Sequence, residues 1–170
     1  ILDKTTDVNN HANCLNDLFN HNKGKVLVLD SDAVPLVKAD LLSRIVQDVD
    51  IMGGVQCPNH LPNAKDYIGV ACSYYDIDKW EDYGRPKFNA IDNYDVGGLV
   101  DYTFQRNGAV RYALQPTEVQ IPKWKLNDGT MFGIGTTYGI NNINLFYHLF
   151  EARYNENVRL YQAKVGYYMS

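Results

Sequence analysis

Lys25-Val26-Leu27-Val28-Leu29-Asp30-Ser31-Asp32-Ala33-Val34-Pro35 is the stretch that decides how this chain is read. Four consecutive apolar residues read as a buried strand of a parallel sheet, because strands covered on both faces lose the polar alternation of half-exposed ones. Two carboxylates follow at the strand's carboxyl end, one small residue apart. In open α/β sheets that edge is where ligands bind. Adjacent carboxylates repel one another unless a cation lies between them. Hard divalent cations take such oxygen ligands, and they also take the phosphates of a substrate. The plain alternative is a pair of aspartates that caps a turn.

Upstream, His11 to Asn20 carries Ala12, Leu15, Leu18 and Phe19 at helical spacing, and Gly24 ends the segment. Ile1-Leu2-Asp3 reads as the tail of a preceding strand, so the outline is a βαβ unit. Downstream, Leu36 to Val49 reads as an amphipathic helix and Ile51 to Val55 as a strand. Cys57 to Lys65 reads as a loop and Tyr67 to Tyr75 as a strand. Trp80 to Lys87 is polar and irregular, Asp95 to Gln105 reads as a helix entered through Gly97-Gly98, and Val110 to Leu114 is strand-like. Asp128 to Asn144, rich in Gly, Thr and Asn, reads as a flexible loop. Leu145 to Tyr154 reads as a short helix carrying His148 and Arg153. The expected fold is α/β, Rossmann-like: a mostly parallel sheet flanked by helices, in one domain over residues 1–170. Because the chain opens on Ile1 rather than Met, it reads as a piece of a longer polypeptide whose sheet lacks its first strand.

Bulk composition narrows the partners. A length of 170 residues is enough for one sizeable core. The net charge is −4 and no basic stripe is visible, which argues against nucleic acid as a partner. No stretch reaches the roughly 18 apolar residues of a membrane-spanning helix. Cys14, Cys57 and Cys72 show no metal-site spacing, and an odd count favours a reducing, cytoplasmic setting over a disulfide framework. Thirteen tyrosines supply flat apolar faces with hydroxyl tips, suited to sugars and nucleobases or simply to half-buried packing.

An apolar strand, then Asp-x-Asp, then an apolar residue and Pro, resembles the nucleotide-sugar glycosyltransferases of the GT-A fold. Ile1-Leu2-Asp3 resembles that family's second strand, whose terminal aspartate contacts the nucleobase. His11-Ala12 with Leu15-Asn16 resembles the helix before the metal motif. Tyr94-Asp95-Val96-Gly97-Gly98 resembles the acceptor-side aspartate and glycine turn, and His148 followed by Arg153 resembles the late histidine that completes the metal site. The resemblance implies Mn²⁺ or Mg²⁺ held by Asp30, Asp32 and His148, the imidazole favouring Mn²⁺. It implies a UDP- or GDP-type sugar donor contacted by Asp3, His11, Asn16, Asp30, Ser31, Asp32 and Arg153. A carbohydrate or other hydroxyl acceptor would lose its proton to Asp95, or to Asp92 as second candidate. The Glu-Asp and Gln-x-x-Arg-Trp motifs of a large inverting subgroup are absent, so the stereochemistry stays open.

Smaller features carry two readings each. Gly53-Gly54 admits a donor sugar or makes a turn. Gly129 to Gly139 reads as a loop closing over the nucleotide or as plain surface. Trp80, Tyr83 and Trp124 are candidates to stack on an acceptor sugar, and Asp95 can instead cap the helix that follows it. Asp30, Asp32 and Val34 also resemble the first motif of haloacid-dehalogenase-like phosphohydrolases, with Asp30 as nucleophile and Asp32 as acid–base. That family's late acidic pair is not apparent. A non-catalytic sugar-binding module is the third reading.

Overall fold

The computed structural model describes residues 8–152 and 154–169. In chain order the elements are α1 (Val8–His21), β1 (Lys25–Leu29), β2 (Ala33–Pro35), α2 (Ala39–Ile45), β3 (Ile51–Gln56), β4 (Tyr67–Asp76), α3 (Ile77–Asp82), α4 (Gly98–Arg106), β5 (Arg111–Lys125), β6 (Met131–Ile140), β7 (Ile143–His148) and α5 (Asn155–Met169). The strands form one seven-stranded sheet in the order β1-β4-β3-β5-β6-β7-β2.

This corrects the expected fold class. Only β3 and β5 pair in parallel; the other neighbours are antiparallel. The expected Rossmann-like sheet, mostly parallel and flanked by helices, is replaced by an antiparallel-dominated sheet that curls toward closure. β1 and β3 do run in the same direction, but β4 is inserted between them and pairs antiparallel with both. The apolar run misled because strand content alone does not reveal who the neighbours are. β1 is an outer strand: Val28 is buried, whereas Leu27 and Leu29 are exposed.

The closure comes from a single short turn. β1 and β2 stand at opposite ends of the strand order, yet only Asp30, Ser31 and Asp32 separate them. The Asp30 amide donates to the Ala71 carbonyl of β4 at 2.9 Å, continuing the β1 ladder. Two residues later the Asp32 carbonyl accepts from the Leu149 amide at 2.9 Å, opening the ladder with β7. The stretch thus changes partner from β4 to β7 across three residues.

The two larger of four apolar clusters among the described residues cover the sheet. One gathers Ala12, Leu15 and Phe19 of α1, Trp80 of α3 and Val100 and Phe104 of α4 against Val28, Ile51, Ile68, Val70 and Tyr75. The other packs Leu42, Val46 and Val49 against Met52, Ala71, Tyr74, Leu114, Tyr138 and Phe146. Neighbours Ile51 and Met52 belong to different clusters, as the pleat requires. The helix read over Leu36 to Val49 is confined to α2, and Leu41 faces solvent. The irregular segment from Trp80 begins inside α3, whose first amides are capped by the Asp76 carboxylate.

The two largest corrections lie in the carboxyl-terminal half. Asp128 to Asn144 is no flexible loop: most of it is β6. Its glycines mark close backbone approaches. A Cβ on Gly133 would lie 2.2 Å from the Ile121 carbonyl oxygen, and one on Gly139 would lie 2.4 Å from that of Ile143. Leu145 to Tyr154 is no helix either, because β7 ends at His148. Asn141 and Asn142 both adopt positive φ (50° and 65°), the conformation of a tight hairpin turn between β6 and β7.

No helix among the described residues is long and apolar enough to cross a membrane. All three cysteines are free, with Cys57 and Cys72 buried.

Asp101 ties three elements together. Arg111 Nε and Nη2 donate to its carboxylate at 2.8 and 2.7 Å, and the Ile68 amide donates at 3.0 Å. The carboxylate on α4 thereby joins the starts of β4 and β5. Asp101→Ala leaves a guanidinium and a buried amide without their partner, and is expected to cost about 3 kcal/mol in urea unfolding. Burial raises the hydroxyl pKa of Tyr67, Tyr75 and Tyr138, and takes that of Tyr147 to about 12. A phenol raised in the folded state contributes stability that is complete below the unfolded value of about 10 and is lost as pH rises through the folded value. Phenolate absorbance titrated against circular dichroism should therefore show these tyrosines ionising together with unfolding, above about pH 10.

Candidate metal centre

The turn that closes the sheet also presents its carboxylates. Asp30 and Asp32 flank the turn, and the Ala33 amide donates to the Asp30 carbonyl at 3.0 Å. Ala33 of β2 lies opposite His148 of β7, which brings the imidazole to the same spot. One ligand atom from each of Asp30, Asp32 and His148 lies within 4.8 Å of the others. His148 is buried, whereas the two aspartates are partly open to solvent. His148 Nε2 stands 3.4 Å from Asp32 Oδ1. The ring rests against Phe150, with centroids 3.9 Å apart.

A second imidazole approaches from α1. His11 Nε2 lies 3.3 Å from Asp30 Oδ1. The hydrogen bond to Asp30 raises the His11 pKa, burial opposes it, and the charges of Asp30 and Asp32 add to the rise. Each carboxylate thus faces one histidine.

The donor set fits a divalent cation. Ligands on opposite sides of an ion bound at about 2.1 Å are about 4.2 Å apart, so a small inward movement would satisfy the geometry. Two carboxylates and one imidazole suit Mn²⁺ better than the all-oxygen shell that Mg²⁺ prefers. The Cys72 thiol is buried and pushed well up by burial and by Asp30 and Asp32, and it is not among the three clustered ligand groups.

The remaining expected site residues fall as follows. Ser31 is exposed at the tip of the turn. Ser31 and Asp32 border an otherwise apolar cavity of about 190 Å³ with Leu149, Ala152, Val158 and Tyr161. Asn16 is buried, and its amide donates to Asn89 at 2.9 Å while its oxygen accepts from the Phe88 amide at 3.0 Å. It pins a loop instead of facing the centre. Asp92 is exposed in a turn at φ 50°. Asp95 does not cap α4, because that position belongs to Gly97 in the left-handed region. The Asp95 carboxylate accepts from the Val96 amide at 2.8 Å and borders a separate cavity with Trp124. Trp80, by contrast, is buried among aromatic rings and donates to the Pro86 carbonyl. Asp3 and Arg153 lie outside the described residues.

Sequence reading missed Tyr138 and Phe150. The Tyr138 hydroxyl is buried without a hydrogen-bond partner and borders a small space that also contains Gly54, Cys72, His148 and Phe150. Gly54 is where the signal lay. It is not a turn but a mid-strand glycine on which the Tyr138 ring lies, and a Cβ there would sit 2.9 Å from three ring atoms. Comparison of the chain with protein-family models, curated proteins and solved structures gives no match. Function is therefore argued from the site itself.

Gly54→Ala forces the Tyr138 ring against the bed of His148. The expected cost is about 1–3 kcal/mol in chemical denaturation, as for other overpacked cores.

Proposed function

We propose that this chain is a metal-dependent glycosyltransferase, moving a sugar from a nucleoside-diphosphate donor of the UDP or GDP type to an acceptor hydroxyl. One observation carries the reading: two carboxylates on a strand-closing turn and an imidazole from a distant strand converge within the span of a single cation's ligand shell. Asp30, Asp32 and His148 would hold Mn²⁺. When bound, such an ion neutralises the charge that builds on a departing diphosphate.

The protein's own groups have separate tasks. Asp32 and Asp30 are oriented by backbone bonds at both ends of their turn, so little reorganisation is needed on ligand binding. Packing against Phe150 fixes the ring plane of His148. His11, 3.3 Å from Asp30, supports the charge of that carboxylate. In an inverting transfer, the bond between the anomeric carbon and the phosphate oxygen breaks and the nucleoside diphosphate leaves with the electron pair. The acceptor oxygen forms the new bond, and its proton passes to a carboxylate. Asp95 is the carboxylate assigned that role, because it borders a cavity with aromatic walls and has one oxygen already oriented by the Val96 amide.

A phosphohydrolase built on the same aspartates would use a further acidic pair. Among the described residues, the metal-capable cluster is completed by a histidine instead. Calorimetric titration with UDP, GDP and their sugar conjugates, with and without Mn²⁺, separates the readings. The expected result is nucleotide binding that requires Mn²⁺ and weakens at least about tenfold in Asp32→Ala. Release of phosphate from a generic phosphomonoester without nucleotide binding would favour the hydrolase. Silence in both assays would favour a non-catalytic module.

A further inference from the structure

We infer that the cavity beyond Phe150 is the acceptor subsite, and that the acceptor presents a single neutral sugar ring to it. This rests on the transferase reading above and adds the chemical class of the second substrate.

The cavity has a volume of about 190 Å³. Gln56, Tyr67, Asp95, Trp124, Phe132 and Phe150 form its functional walls. It adjoins the metal centre through shared residues. Phe150 packs against His148 with ring centroids 3.9 Å apart and planes tilted by 49°, and Gln56 and Phe150 also border the small space containing His148 and Tyr138. A group seated against Phe150 therefore touches a ring that itself touches the imidazole.

The walls divide into two kinds. Trp124, Phe132 and Phe150 pack on one another with centroids 5.5 to 5.8 Å apart. Their faces carry the negative side of the ring quadrupole, which meets the slightly positive C–H groups on the apolar face of a pyranose. The facing wall is polar. Gln56 Nε2 donates to the Tyr67 hydroxyl at 2.6 Å, which leaves the Gln56 carbonyl to accept and the Tyr67 proton to donate. An acceptor–donor pair side by side matches the vicinal hydroxyls of a sugar.

Charge selects against other occupants. Among the described residues, Asp95 is the one carboxylate on these walls, His60 is the one basic side chain, and no Lys or Arg borders the cavity. Lys123 lies over the Trp124 ring at 5.0 Å but is ion-paired with Glu151 at 2.7 Å. A phosphorylated or carboxylated sugar would face Asp95, with the His60 imidazole as its one basic neighbour among the described residues. A quaternary ammonium would suit the rings and the carboxylate, but it cannot use the Gln56–Tyr67 pair. The cavity has room for about one ring and opens to solvent, so the rest of a larger acceptor would project outward.

The experiment follows tryptophan emission. Of the two tryptophans, Trp80 is buried in the core and Trp124 borders the cavity, so a ligand-induced change reports on Trp124. The full chain is titrated with methyl glucoside, methyl galactoside, methyl mannoside and N-acetylglucosamine, and with glucose 6-phosphate and choline. Each titration is run with and without Mn²⁺ and UDP or GDP. At least one neutral glycoside should shift the emission saturably. Its affinity should fall about tenfold in Tyr67→Phe, which keeps the buried ring and deletes the proton donor. Trp124→Phe should abolish the signal while leaving Mn²⁺-dependent nucleotide binding in place. A response to choline or glucose 6-phosphate alone overturns the inference, as does no response from any neutral glycoside while the nucleotide binds. Glycoside binding without nucleotide binding would keep the cavity as a sugar site and overturn the transferase reading instead.

Discussion

Everything in this molecule depends on how the three residues Asp30, Ser31 and Asp32 are held. They join the two outer strands of a seven-stranded sheet, and backbone hydrogen bonds anchor them to β4 on one side and to the residue after β7 on the other. The closing connection is short and its backbone is bonded at both ends, so the Cα atoms of both aspartates are fixed in place. A site built on a backbone clamp loses little conformational entropy when a ligand arrives. The same clamp explains why His148, remote in sequence, meets Asp32: β7 has to run beside β2 for the sheet to close.

The second fixed point is the buried Asp101 carboxylate. Its bonds to Arg111 and to the Ile68 amide set α4 against the beginnings of β4 and β5. Gly97 precedes that helix in a left-handed conformation, where a Cβ would lie 2.4 Å from Val70. Asp95 is carried on this tightly constrained turn. Metal centre and aromatic cavity are thus positioned by different clamps on a common sheet, and Phe150 is where they touch.

Local sequence signals were legible where chemistry and periodicity coincide. α1, β3, β4 and α4 follow from spacing, and Asp30, Asp32 and His148 were expected to act together. Pairing was not legible. Val26 to Leu29 has the composition of a doubly covered strand, yet it ends as an outer strand because β4 turns back to pair with it. Gly, Thr and Asn in 128–144 mimic a loop because β6 is crowded by neighbouring backbones that leave no room for side chains at Gly133 and Gly139. The Asn141-Asn142 turn was visible in principle, since consecutive asparagines tolerate left-handed backbone. It would have turned the supposed helix at Leu145 into a strand. Asn16 illustrates the opposite error: a polar residue beside a motif can serve packing alone, once both ends of its amide are used.

The closing turn also has a consequence for variation in such chains. Val28 and Ala33 point inward from either side of it, in different clusters. Between them lies a turn closed by the Ala33 amide on the Asp30 carbonyl and tied at its two ends to Ala71 and Leu149. A residue added or removed there would have to break one of those three bonds. The single-residue gap between the aspartates is therefore not a chemical preference alone, because the same three residues also set the distance between two sheet edges.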